Sequence, residues 1–150
     1  MSLLEFDSDL RAKSEDWCAA WGVAPLAHQA QIAYSTRQRT SLGRARYEGE
    51  RILLNAVLRD SALRPLLEEV LCHELAHLAA RRLHGPGIRP HGKEWKALLR
   101  SVGHCARVTV PSAELPPIRS RRRGRRRAVS ASISQVLLAK VFGGIIRIAR

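Results

Sequence analysis

The chain has 150 residues, 45% of them hydrophobic, which is enough for one domain with a real core and excludes a disordered polymer. Its formal charge is +13, yet residues 118–150 hold ten Lys or Arg and no acid, while residues 1–117 balance sixteen basic against thirteen acidic groups, so the basicity belongs mostly to the tail. Three widely spaced cysteines, Cys18, Cys72 and Cys105, with no CxxC pair, support neither a disulfide framework nor a cysteine zinc knuckle, and MSLLEFDSDL lacks the basic and apolar regions of a secretory signal; the expectation is a cytoplasmic protein with reduced thiols.

Residues 3–22 set Leu3, Leu10, Cys18 and Trp21 among many charges and close on Gly22 and Pro25, which predicts one or two amphipathic helices with Trp17 and Trp21 on the core. Three short stretches follow, Gln31–Ser35, Arg44–Tyr47 and Arg51–Asn55, separated by Ser41–Gly43 and Glu48–Glu50; they read as three strands, the last two a hairpin. Pro65 opens a long helix with Leu66, Leu67, Val70, Leu71, Leu75 and Leu78 at helical spacing, acids near its start, bases near its end, and Gly85-Pro86 as its stop. After the Gly85–Pro90 loop, Trp95, Leu98, Leu99 and Val102 repeat at i, i+3, i+4 and i+7, a second helix that Gly103 ends, and Ala106–Val110 reads as a short last strand. The elements add up to an α+β fold: an N-terminal helix, a small mostly antiparallel sheet, and two helices packed on it.

Beyond Pro116 and Pro117 lies Arg121-Arg-Arg-Gly-Arg-Arg-Arg127, where like charges repel and nothing apolar intervenes. The compact domain is expected over residues 1–115 and a basic tail over 116–150. Within the tail, residues 133–149 are apolar with Lys140 and Arg147 seven apart, one stripe of a helix, short for a membrane span and interfacial in character.

His73-Glu-Leu-Ala-His77 lies inside the long helix, where residues four apart project from nearly the same face, so one metal ion can meet both rings. A catalytic zinc needs a third protein ligand and an open position. His84 is nearly two turns further along the same helix and points away; HExxHxxGxxH would need Gly at 80 and His at 83, where Ala80 and Leu83 stand. His91, after the Gly/Pro loop, lets the chain reverse and is preferred, with Glu94 a weaker candidate. Zinc on three histidines would polarise a water, and Glu74 is placed to take its proton as general base.

His73–His77, followed across the loop by His91-Gly-Lys-Glu-Trp95, resembles the SprT-like zinc metalloproteases, the family of the Spartan-like DNA-protein crosslink proteases. Arg39-Thr-Ser-Leu-Gly43 and Arg51-Ile-Leu-Leu-Asn55 are similar to the family's strands before the motif helix, and the likeness covers roughly residues 10–110. The resemblance implies a zincin-like domain, Zn2+ on His73, His77 and His91, and endopeptidase activity on DNA-associated or DNA-crosslinked proteins. The chain departs from many bacterial relatives in lacking a cysteine-rich zinc ribbon, so any DNA-contacting role of that ribbon is absent or moved to the tail. Arg119, Arg121, Arg122, Arg123, Arg125, Arg126 and Arg127 suit phosphates without reading sequence, and the resemblance favours nucleic acid as their partner over an anionic membrane surface, which residues 133–149 keep open. The competing reading is a non-catalytic module whose zinc is structural, closed by a fourth side chain such as His84, with the tail as its tether.

Overall fold

A computed structural model describes residues 7–38, 41–107, 109–110 and 146–147. In chain order the elements are α1 (Ser8–Ala20), α2 (Leu26–Gln29), β1 (Gln31–Ser35), β2 (Gly43–Arg46), β3 (Arg51–Asn55), α3 (Arg64–His84), α4 (Lys93–Ser101), β4 (Thr109–Val110) and β5 (Ile146–Arg147). Two short 3-10 turns, Ala56–Arg59 and Ser61–Leu63, join β3 to α3. The arrangement is α+β, with the short α2 an addition to the elements expected from sequence.

Asp7 caps α1 by accepting the Leu10 N–H at 3.0 Å. The same carboxylate pairs with Arg64, the first residue of α3, which also reaches Asp9 at 2.9 Å and Glu68 at 3.2 Å. This guanidinium holds the Asp7 carboxyl below the usual carboxylate range and ties the starts of α1 and α3 together. At the other end of α1, Trp17 and Trp21 are buried as expected, and the Trp21 indole N–H donates to the Leu98 carbonyl at 2.8 Å, fastening α1 to α4.

The first sheet has the order β1-β3-β2, with β2 and β3 antiparallel, the expected hairpin, but β1 and β3 parallel. It is therefore mixed rather than mostly antiparallel. The physical reason is β3's apolar content: Ile52 and Leu54 are wholly buried, which suits the central position, so the chain from β1 must skip one strand spacing before β2 begins. Asn55 fastens that crossing, donating to the carbonyls of Gln38 and Ser41, each at 3.1 Å, while its own side-chain oxygen accepts from the Val57 N–H. A second, two-stranded ladder pairs Thr109 with Arg147 and Val110 with Ile146. Arg147, read from sequence as part of a helical stripe with Lys140, stands in a strand instead; the rest of residues 133–149 and the tail arginines lie outside the described residues.

Helix α3 runs through the middle of the molecule. Pro65 sits in its first turn and Gly85, at φ +80°, ends it. Every residue from Val70 to Ala80 is buried, because the sheet, α1 and α4 pack around it. The pattern that reads as amphipathic from sequence is thus a helix enclosed on all sides in its centre, and three polar side chains, His73, Glu74 and His77, are carried into the core with it.

Candidate metal centre

The loop after α3 turns back at Arg89–Gly92, closed by the Gly92 N–H donating to the Arg89 carbonyl at 2.9 Å. His91 adopts φ +58°, a left-handed conformation that costs a non-glycine residue about 1 kcal/mol or more. A Cβ on Gly92 would stand 2.9 Å from the Arg89 carbonyl oxygen and from a Glu94 carboxylate oxygen, so the neighbour of His91 must be glycine for the turn to close. The strained turn brings the His91 ring back to α3.

There the Nε2 atoms of His73, His77 and His91 form a nearly equilateral triangle, 3.2 Å from His73 to each of the others and 3.1 Å from His77 to His91. Burial and the neighbouring imidazoles hold the His73 ring down to about 2 and the His77 ring to about 3, so both are neutral at physiological pH. Three imidazole Nε2 atoms turned on one point cannot all satisfy one another by hydrogen bonds, since each offers either one proton or one lone pair. A cation satisfies all three: nitrogens about 2.0–2.1 Å from a tetrahedral ion are about 3.3 Å apart. The three histidines are positioned to bind a metal ion, and among the described residues no other His, Cys, Asp or Glu joins the group. His84 is exposed at the end of α3 and Glu94 stands outside the group, so neither alternative third ligand is brought in.

Trp95, 1% exposed, forms the wall behind the three rings. Its indole stacks on His77 at 23° between planes, meets His73 and His91 edge-on, and donates its N–H to the His73 carbonyl at 3.2 Å. His73 is held from a second side by a hydrogen bond to the Arg107 backbone; because its Nε2 faces the triangle, Nδ1 makes that bond. Arg107 is clamped in turn by a two-pronged pair with Glu69, one turn before His73 on α3, whose second contact is 2.5 Å. Sequence reasoning did not find this outer layer; the one available signal was an acid four residues before the first ligand.

Glu74 is fully buried and neither carboxylate oxygen makes a hydrogen bond of normal geometry. Burial pushes its carboxyl up to about 8, against the nearby Ala45 N–H and the Arg44 charge. Its stem lies on β2: a Cβ at Gly43 would come 2.6 Å from a Glu74 carboxylate oxygen and 2.8 Å from both its Cγ and a Val70 methyl. Gly43 therefore makes room for the glutamate, a role that no local pattern announces.

The profile of the SprT-like family matches residues 18–117, two thirds of the chain. The chain belongs to the SprT-like family. Protein SprT of Vibrio parahaemolyticus is 32% identical over 90 residues, covering 60% of this chain and 53% of that protein. Protein SprT of Escherichia coli O1:K1 is 45% identical over 67 residues, 45% of this chain and 40% of the relative, and that of Pseudomonas aeruginosa strain UCBPP-PA14 is 53% identical over 36 residues, 24% and 22%. The matched stretches thus span from about a fifth to about half the length of these SprT proteins. No solved structure gives a significant match. Family membership points to a metalloprotease-like domain, and the three clustered histidines supply the metal-binding part of that description.

Proposed function

We propose that the protein is a zinc-dependent endopeptidase in which His73, His77 and His91 hold the metal and Glu74 is the general base. The observation that carries the reading is the triangle of three converging Nε2 atoms with no fourth protein ligand among the described residues, the donor set of a site that keeps a position open for chemistry. A closed structural site would need a fourth donor, and His84, the candidate for it, is exposed at the helix end.

Zinc bound there would act as a Lewis acid, lowering the pKa of a bound water from about 15.7 towards about 7 and polarising a substrate carbonyl. Glu74 takes the proton from the attacking water and delivers it to the leaving amine. Burial raises the proton affinity of this carboxyl to near neutral pH, which suits a group that takes up a proton and gives it away again. Trp95 and the Arg107 carbonyl fix the His73 ring, and Trp95 excludes water from behind the ligands.

The substrate class rests on family likeness and on charge: proteins associated with or crosslinked to DNA, with the arginines at 119, 121–123 and 125–127 as a sequence-blind grip on phosphates. The deciding experiment is cleavage of a DNA-binding protein by the wild type and by Glu74→Gln in zinc-containing buffer, with and without single-stranded DNA. Expected are full zinc loading of both proteins, cleavage by the wild type alone, and stimulation by DNA. Retained cleavage by Glu74→Gln overturns the base assignment, and cleavage indifferent to DNA overturns the substrate class while leaving the peptidase.

A further inference from the structure

The inner face of the β1-β3-β2 sheet is covered by α3, and its outer face is open. On that face the register sets Ala33, Leu53 and Arg44 in one cross-strand row and Gln31, Arg51 and Arg46 in the next. With Arg37 from the loop after β1, four arginines border a concavity of about 680 Å³ floored by Leu53 and flanked by Tyr34. Among the described residues no acid lines it. Of the two acids in the adjoining β2–β3 turn, Glu50 is turned to Arg82 at 2.6 Å and Glu48 stands outside the concavity.

Among the described residues, Arg11, Arg64, Arg82 and Arg107 stand in ion pairs, whereas Arg37, Arg44, Arg46 and Arg51 stand in none. Arg46 and Arg51 are direct cross-strand partners on one face, and like charges so placed destabilise an antiparallel pair. An arrangement that repels itself and meets no acid within its groove among the described residues calls for an external anion. All four groups are guanidinium, whose fork suits phosphate oxygens better than an ammonium does. The outer strands lie about 10 Å apart, a groove that fits a single chain of phosphates rather than a flat membrane surface. The chain's own tail cannot fill it, since residues 118–150 carry ten bases and no acid. Tyr34 is half-buried with the Arg59 guanidinium over its ring at 4.9 Å, so the groove offers no free aromatic platform for bases.

We infer that the open face of this sheet is a binding surface for the phosphate backbone of a single nucleic-acid strand, gripped by Arg37, Arg44, Arg46 and Arg51 without reading sequence. The inference does not depend on the metal centre, because binding is measured without cleavage.

The test uses the full chain and a labelled polythymidine oligonucleotide, with affinity measured by anisotropy across a KCl series. Arg44 is left in place because its charge reaches Glu74. The variant Arg37→Ala/Arg46→Ala/Arg51→Ala should bind about tenfold or more weakly, with a log–log salt slope shallower by about 2, the share of three phosphate contacts on a single strand. The matching triple Lys variant should keep the slope, and a control lacking three arginines elsewhere, Arg11→Ala/Arg89→Ala/Arg100→Ala, should not change it. A triple Ala variant that is folded by thermal unfolding yet keeps the wild-type slope overturns the proposal. So does competition by polyglutamate at equal charge, or loss of binding to phosphatidylserine vesicles with oligonucleotide binding intact.

Discussion

Two buried imidazoles held neutral and one buried carboxyl held protonated pull the metal-free protein's stability in opposite directions with pH. His73 and His77 have folded values near 2 and 3, below the unfolded value of about 6.5, so below pH 6.5 the unfolded chain binds more protons and each ring withdraws up to about 1.4 kcal/mol per pH unit on acidification. Glu74 is raised to about 8, so from about pH 4.5 upward the folded state holds the extra proton and stability falls as pH rises through 8. Chelated protein should therefore be most stable near pH 6.5 and lose stability on both sides, and Glu74→Gln should remove the alkaline fall while steepening the acid side above about pH 4.5. Urea unfolding of the chelated wild type and variant at pH 5, 6.5 and 8 checks this, and a profile without an alkaline fall in the wild type would refute the buried, unpartnered state of Glu74. The convergence of His73, His77 and His91 was legible in sequence because it follows from helical spacing and a Gly/Pro loop. The burial of Glu74 was not, because it depends on Gly43, thirty-one residues away, lacking a side chain.

At the scale of elements, the centre depends on α3 and α4 being locked together and on the segment after α4 returning to α3. Trp95 provides the first lock, through its stacking and its hydrogen bond to the His73 carbonyl. The Glu69–Arg107 pair provides the second, holding the Arg107 backbone against His73. Outer partners of metal-ligating histidines are typically worth 10–100-fold in metal affinity, so Glu69→Gln should weaken zinc binding about tenfold while its far-ultraviolet circular dichroism stays as in the wild type. Competition against a chromophoric chelator measures the affinity, and an unchanged value would show that Arg107 keeps its place without the pair. The helices carrying these residues were legible from apolar periodicity and Gly/Pro stops, to within a residue or two. The parallel pairing of β1 with β3 was not: a hairpin is announced by its turn, whereas a strand inserted between two others is decided by which segment is most apolar and by how far the loop reaches.

For the whole molecule, charge is distributed in two places that composition alone merges. Residues 118–150 carry ten of the bases that set the total, but residues 1–117, near neutrality, gather Arg44, Arg46 and Arg51 on one sheet face beside Arg37, a grouping that strand register and the fold reveal. Among the described residues no helix is long and apolar enough to cross a membrane, and Ile146–Arg147 pairs with Thr109–Val110, so removing the whole tail would also remove a strand. The sharper change replaces the seven arginines at 119, 121–123 and 125–127 with Gln and leaves β5 in place. If these groups grip nucleic acid, the salt slope for a single strand should become shallower by up to about 5, since each phosphate released from a guanidinium removes about 0.7. Cleavage of a DNA-bound substrate should fall with affinity while cleavage of an unfolded, DNA-free substrate stays unchanged, because a tether raises local concentration without touching the clustered histidines. An unchanged oligonucleotide affinity would remove the tail from the interface, and loss of binding only to anionic vesicles would reassign it to a membrane surface. Combining the Gln series with the sheet-face variant separates the two patches: independent grips give additive losses in slope, whereas a tail that merely delivers the strand to the sheet gives a double variant no weaker than the sheet-face variant alone.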